Sequence, residues 1–146
     1  MPFERPGRAL VFQVLKTFKN HDQKSPMTQP AQFAIGYARV STEDQSLQLQ
    51  LARLREAGCS AVFCEKVSGW GRDLPELRKA IDALPRGGVL IVRSIDRLGR
   101  SSIEINRNLI AIHDRGAHLR SMDEPFADTS TQFGPVFIAF CGLFAE

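Results

Sequence analysis

The chain has 146 residues, 43% of them hydrophobic and 24% charged, which is long enough for one domain with a real core and ordinary for a globular protein. Its net charge of +3 lies wholly in residues 1–31, which hold five basic and two acidic side chains, whereas residues 32–146 hold fourteen of each. The basic balance therefore says little about nucleic acid, since a free-standing DNA binder is expected to carry a strongly basic face. Twelve of those fourteen basic residues are arginine, whose planar fork grips phosphate, although arginines paired with surface carboxylates explain the bias nearly as well. Cys59, Cys64 and Cys141 are odd in number and form no Cys-x-x-Cys pair, so they read as reduced thiols of a cytoplasmic protein, two of them in the core. His21, His113 and His118 have no metal-ligand spacing, and no metal site is expected.

Residues 1–32 do not read as part of the fold. Ala9–Leu15 is apolar but broken by Gln13, with no small-residue cleavage site after it, and residues 16–32 are polar with Pro26 and Pro30. That composition suits a disordered linker, and both an extension from an upstream start codon and a transit peptide stay open. From Phe33 the pattern alternates. Ala34–Val40 predicts a strand, and Thr42 and Gln45 have capping-box spacing before Leu47, Leu51 and Leu54 repeat along one helical face to Gly58. Ala61–Glu65 predicts a second strand and residues 66–74 a glycine-containing loop. Pro75 opens a helix with Leu77, Ile81 and Leu84 on its buried face, and Val89–Val92 is a continuous apolar run that suits a strand covered on both sides. Ser101 and Glu104 form a capping box for a helix to about Arg115, Leu119–Met122 is a fourth strand, and Pro135–Ala145 is a helix apolar almost all round, too short to span a bilayer. It stops without a polar final turn, as a helix cut short would, and it needs burial by the core or by another subunit. The alternation predicts an α/β fold with a mainly parallel sheet of about four strands flanked by helices.

In such sheets ligands bind at the carboxyl ends of the strands, the edge where Ser41, Glu65 and Asp96 fall. Ser41 stands where a strand hands over to a helix, whose unpaired N–H groups and positive dipole end suit a phosphate, and Arg39 lies two residues back on the same side. Residues 95–101, I-D-R-L-G-R-S, bring Asp96, Arg97 and Arg100 to the same edge around a glycine. A hydroxyl nucleophile, guanidinium groups for the crowded oxygens and a carboxylate for proton handling are the parts of a phosphoryl transfer.

The segments Y-A-R-V-S-T-E-D-Q (37–45), E-K-V-S-G (65–69) and I-D-R-L-G-R-S (95–101) resemble the catalytic domain of the serine recombinases, the resolvase and DNA-invertase family, from about Phe33 to the last residue. The resemblance implies a serine that attacks the DNA backbone, a 5′-phosphoserine link with a free 3′-hydroxyl, no cofactor, and synapsis of two sites by a tetramer built from dimers. It places Ser41 on the nucleophile, Arg39 beside it, and Asp96, Arg97 and Arg100 in the active-site cluster. Gln50, Glu65 and Ser68 match positions that line or support the site. Read from residue type alone, they are equally an exposed helix residue, a strand-end partner of Lys66 and a turn former.

Departures from the family pattern are also legible. Leu74 stands where an arginine is usual, with Arg72 two residues earlier. Ser94 replaces a basic residue before Asp96, and Gly134-Pro135 replaces a glycine followed by a basic residue. The last helix of the family continues toward a helix-turn-helix domain, whereas this chain ends at Glu146. The expectation is therefore a truncated recombinase catalytic domain. Two other readings stand beside it: a non-catalytic remnant that pairs with full-length recombinases through Pro135–Ala145, and an unrelated anion-binding α/β enzyme.

Overall fold

The computed structural model describes residues 33–41, 47–67, 73–132 and 134–143. Its strands are β1 (Ala34–Ser41), β2 (Ala61–Val67), β3 (Val89–Val92) and β4 (His118–Ser121), all parallel, in the order β2-β1-β3-β4. Its helices are α1 (Leu47–Glu56), α2 (Pro75–Asp82), α3 (Ser102–Asp114) and α4 (Gly134–Leu143), with 3-10 turns at Ile95–Leu98 and Pro125–Ala127. The expected N-terminal linker, residues 1–32, and the Thr42–Gln45 capping box lie outside the described residues.

The period of two along β1 sorts the core into two layers. Ile35 and Tyr37 join Leu90, Val92 and Leu119 on one face, where Leu77 and Ile81 of α2, Leu109 and Ile112 of α3 and Ile138 of α4 pack. Ala34 and Ala38 join Val89 and Ile91 on the other face, under Leu54 of α1. Small residues are needed on that side. A Cβ built on Gly36 would stand 3.1 Å from the Cys59 Sγ and 3.3 Å from the Leu54 Cβ, so the glycine lets α1 approach the sheet. Cys59 and Cys64 edge this layer half-buried, and burial raises both thiol pKa values.

Two boundaries differ from the sequence expectation. β2 runs on to Val67 because β1 offers it hydrogen-bonding partners up to Ser41, so Glu65 is inside the strand, opposite Arg39, and does not follow it. β4 begins at His118 and ends at Ser121, one residue early at each end. The apolar α4 is divided in its surroundings: Ile138 is buried in the core, while Val136 and Leu143 are exposed. Phe126, in the second 3-10 turn, meets Phe137 edge-on at 6.4 Å.

Glu65 explains how α2 starts. Leu74 at its N-cap has no side-chain oxygen to offer, and the buried Glu65 carboxylate accepts from the N–H groups of Glu76 (2.8 Å) and Leu77 (3.1 Å) instead. A neighbouring strand thus supplies the anion that a helix N-terminus attracts. The entry to α4 is fixed by a second cluster. Thr129 pairs with Leu119 through both its N–H (2.9 Å) and its hydroxyl (2.8 Å), and the Asp128 carboxylate accepts from Ser130 N–H (2.9 Å) and Arg120 Nε (3.1 Å). Burial pushes the Asp128 pKa up, but Ser130 and Arg120 pull it further down, and the net direction is below the ordinary carboxylate value.

Replacing Glu65 by Ala is expected to cost about 2 kcal/mol in denaturant unfolding, with Glu65→Gln recovering part of it. Because the folded Asp128 pKa is depressed, its contribution to stability is present above the unfolded carboxylate pKa of about 3.9 and is lost as pH falls through the lower folded value. Melting curves between about pH 2 and 5 should therefore fall more steeply for the wild type than for Asp128→Asn.

Candidate active site at the carboxyl edge of the sheet

The chain leaves β1 for β2 on one side and later crosses to β3 on the other. Where the order reverses, the loops after two adjacent parallel strands separate and leave a crevice at their carboxyl ends. Ser41 ends β1 there, its backbone opposite Val67. The loop from Arg93 to Ser101 leaves β3 at the same edge.

That loop is fastened to β1 by reciprocal arginine contacts. The Arg39 guanidinium donates to the carbonyl of Asp96 (3.2 Å) and lies 3.4 Å from that of Gly99, while the Arg97 guanidinium donates back to the Arg39 carbonyl (3.2 Å). Leu98, fully buried between them, anchors the turn in the core, and Asn108 of α3 donates to its carbonyl (2.6 Å). Gly99 is required by space and not by its extended backbone. A Cβ there would stand 2.7 Å from the Glu104 Cβ and 2.8 Å from the Ile105 nitrogen, against the first turn of α3. The start of α3 is closed by Ser101, whose hydroxyl accepts from Glu104 N–H (3.2 Å), and by Glu104, whose carboxylate accepts from Arg100 N–H (2.8 Å).

The charges at this edge are unbalanced. Ion pairs occur at Lys79–Glu76, Arg93–Asp123, Arg115–Asp82 and Arg120–Asp128, whereas Arg39, Arg97 and Arg100 pair with no carboxylate among the described residues. The acids nearby are engaged elsewhere: Glu65 at the start of α2, and Asp96, exposed, by the hydroxyl of Ser94. The Arg97 Nε–H is buried without an acceptor among the described residues, and Tyr37 is fully buried in the core layer that holds Leu98. Burial first, and then the Glu65 charge, raise the Tyr37 pKa, so this phenol stays protonated.

The structure thus gathers Arg39, Asp96 and Arg97 with the Ser41 backbone position, and sets Arg100 exposed at the end of the same loop. Gln50 is not the exposed helix residue its polarity allows. It is buried on α1 and borders a hollow with Arg53, Arg93 and Asp123. Glu65 is not a partner of Lys66, since its carboxylate turns to α2. Ser68 and Arg72 lie outside the described residues. Leu74 is half-buried against the core. Sequence reasoning missed Glu124, which reaches the first residue of the Ile95–Leu98 turn, and Asn108; the acidic pair after a strand end was the available signal for Glu124. Among the described residues no three His, Cys, Asp or Glu side chains gather as a metal-binding group.

The family described as "Resolvase, N terminal domain" matches residues 34–146. Over 112 residues the chain is 41% identical to a DNA-invertase of Escherichia phage P1, covering 77% of this chain and 60% of that protein. It is 40% identical to the serine recombinase gin of Escherichia phage Mu and 38% identical to the DNA-invertase hin of Salmonella typhimurium, each over 77% of this chain and 58% of the relative. The chain therefore spans about 60% of the length of these three relatives. A resolvase family site-specific recombinase from Streptococcus pneumoniae, solved by crystallography, superposes with a TM-score of 0.61 at 19% identity, over 79% of this chain and 87% of that one, and shares its fold.

Gly99→Ala should push α3 away from the loop and lower stability by about 2 kcal/mol in denaturant unfolding. An unchanged midpoint would show that the close approach is not needed.

Proposed function

The chain belongs to the resolvase N-terminal domain family, and on that premise we propose that residues 33–146 are the catalytic domain of a site-specific DNA recombinase with Ser41 as its nucleophile. In this reading the Ser41 hydroxyl oxygen attacks a backbone phosphorus of DNA. The bond to the 3′ oxygen breaks, and the 3′-hydroxyl departs with a proton while a 5′-phosphoserine ester forms. Attack by a different 3′-hydroxyl reverses the step and joins exchanged strands. The ester conserves the energy of the phosphodiester, so no cofactor is called for. Arg39, Arg97 and Arg100 hold the non-bridging oxygens and offset the charge that grows on them, and Asp96 is the candidate for handling the proton. Gln50, Ser68 and Arg72 support the DNA around the site, and Glu65 supports it through α2.

The observation that carries the reading is the interlocked pair Arg39 and Arg97, from β1 and the loop after β3, with Arg100 exposed at the end of that loop, none of which is neutralised by a carboxylate among the described residues. An anion at the crevice gives the buried Arg97 Nε–H an acceptor. Surface ion pairing, the alternative account of the arginine bias, describes Arg93, Arg115 and Arg120 but not these three. The partners in this reading are DNA and a second copy of the chain, docking on the exposed Val136 and Leu143 face of α4 and assembling further into a tetramer. Base recognition belongs to a helix-turn-helix element outside residues 33–146. Among the described residues no helix is long and apolar enough to cross a membrane, and action on DNA assigns the protein to the cytoplasm.

A second reading has one specific observation in its favour. Leu74, where the family resemblance leads one to expect an arginine, packs against the core and brings no charge to the phosphate. In that reading the chain is a catalytically impaired partner of full-length recombinases.

The two are separated by fusing the chain to a sequence-specific DNA-binding domain and incubating it with supercoiled DNA carrying two of that domain's sites. A covalent protein–DNA adduct is expected from the wild type and none from Ser41→Ala. Arg97→Ala and Arg100→Ala should each slow its formation by about 10³-fold. An adduct that forms equally well with Ser41→Ala contradicts the nucleophile. An adduct that needs Leu74→Arg establishes the second reading.

A further inference from the structure

Beyond the arginines and Asp96, a carboxylate from another segment touches the active-site loop. Glu124 follows β4, and its Oε2 accepts from the N–H of Ile95 (3.1 Å), the first residue of the turn that carries Asp96 and Arg97. The residue before that turn, Ser94, has extended backbone but makes no cap with its side chain, because its hydroxyl is committed to Asp96. Glu124 therefore fills the capping position from a distance of 29 residues in sequence. The same oxygen also accepts from the hydroxyl of Ser121, which is buried at the end of β4 and reaches the Arg93 carbonyl (3.3 Å). The Glu124 N–H points back to the Ser121 hydroxyl (3.3 Å), so the carboxylate is oriented from both sides. Through these bonds β4 grips the chain as it leaves β3, directly ahead of the Arg39 contacts that hold the other end of the turn.

We propose that Glu124 is a positioning residue for the recombination site: it fixes the start of the Ile95–Leu98 turn and thereby the placement of Asp96 and Arg97 relative to Ser41. The proposal rests on the catalytic reading above. In this role Glu124 acts through the turn and not on the DNA itself. Its negative charge favours the N–H end of the turn, and the turn in turn carries the two side chains that face phosphate. A displacement of about 1 Å at such a site costs on the order of 10²-fold in rate, so fixing this end of the turn matters for the maximal rate of cleavage and not for the attraction of DNA.

Two measurements test this. The first uses the unfused chain and needs no activity: hydrogen exchange of the Ile95 amide is followed by NMR at a single pH. It should exchange about tenfold faster in Glu124→Ala than in the wild type, and Glu124→Gln, which keeps an acceptor oxygen, should retain most of the protection. The second uses the fused chain and separates the maximal rate of adduct formation from the DNA concentration giving half that rate. Glu124→Ala should lower the maximal rate by about 10- to 100-fold with half-saturation unchanged, and Glu124→Gln, which keeps an acceptor oxygen, should stay within about threefold of the wild type. If Glu124→Ala does not fold, Ser121→Ala removes the hydroxyl that orients the same oxygen, and a smaller drop in maximal rate is expected. An Ile95 amide that exchanges at the wild-type rate in a folded Glu124→Ala overturns the contact, and a maximal rate unchanged in that variant overturns the role. An absent adduct in the wild type with a protected Ile95 amide would instead count against the catalytic reading while leaving the contact established.

Discussion

The structure depends on one reciprocal contact between segments 58 residues apart: the Arg97 guanidinium on the Arg39 carbonyl, answered by the Arg39 guanidinium on the carbonyl of Asp96. Each bond is neutral on its acceptor side. Neither cation pairs with a carboxylate among the described residues, and what holds the loop in place is geometry supplied from elsewhere. Leu98 is sealed in the core beneath the loop, Asn108 ties down its carbonyl, and Gly99 lets the first turn of α3 press against the chain. A site that concentrates positive charge at a sheet edge is destabilised until an anion arrives, and that cost is a reason for the surrounding anchors.

The acids near the site are distributed accordingly. Glu65 sits opposite Arg39 in the sheet, a register that would allow an ion pair, yet its carboxylate is drawn to the two N–H groups at the start of α2. Glu124 is drawn to Ile95 and Ser121, and Asp96 to Ser94. Each carboxylate is occupied by a neutral donor, which leaves the guanidiniums available. Charge balance over residues 32–146 as a whole thus coexists with local imbalance at the carboxyl edge of the sheet, and this is why net charge alone says so little about the partner.

Much of this was legible in the sequence. The alternating pattern gave the parallel sheet, because apolar runs such as Val89–Val92 and the capping pair Ser101 and Glu104 are local signals with local causes. The grouping of Arg39 with Asp96 and Arg97 followed from topology, since strand ends of a parallel sheet share an edge. The 3-10 turn at Ile95–Leu98 was not legible, being too short to show a period, and neither were the tasks of Glu65 and Glu124, whose partners lie 11 and 29 residues away and leave no periodic trace. For Gln50 the sequence left two readings open, a residue supporting the site and an exposed helix residue. A polar residue on a helix reads as exposed unless one knows that the helix turns that position toward a crevice.

The central claim is that the hydroxyl at position 41 makes a bond to DNA phosphorus among these guanidiniums. Its most direct test is to digest the covalent reaction product with protease and nuclease and to sequence the nucleotide-bearing peptide by mass spectrometry. The account requires the 5′-phosphonucleotide to be esterified to Ser41 in the peptide containing Arg39. Attachment at any other residue, in a product that still depends on Arg97, would contradict it.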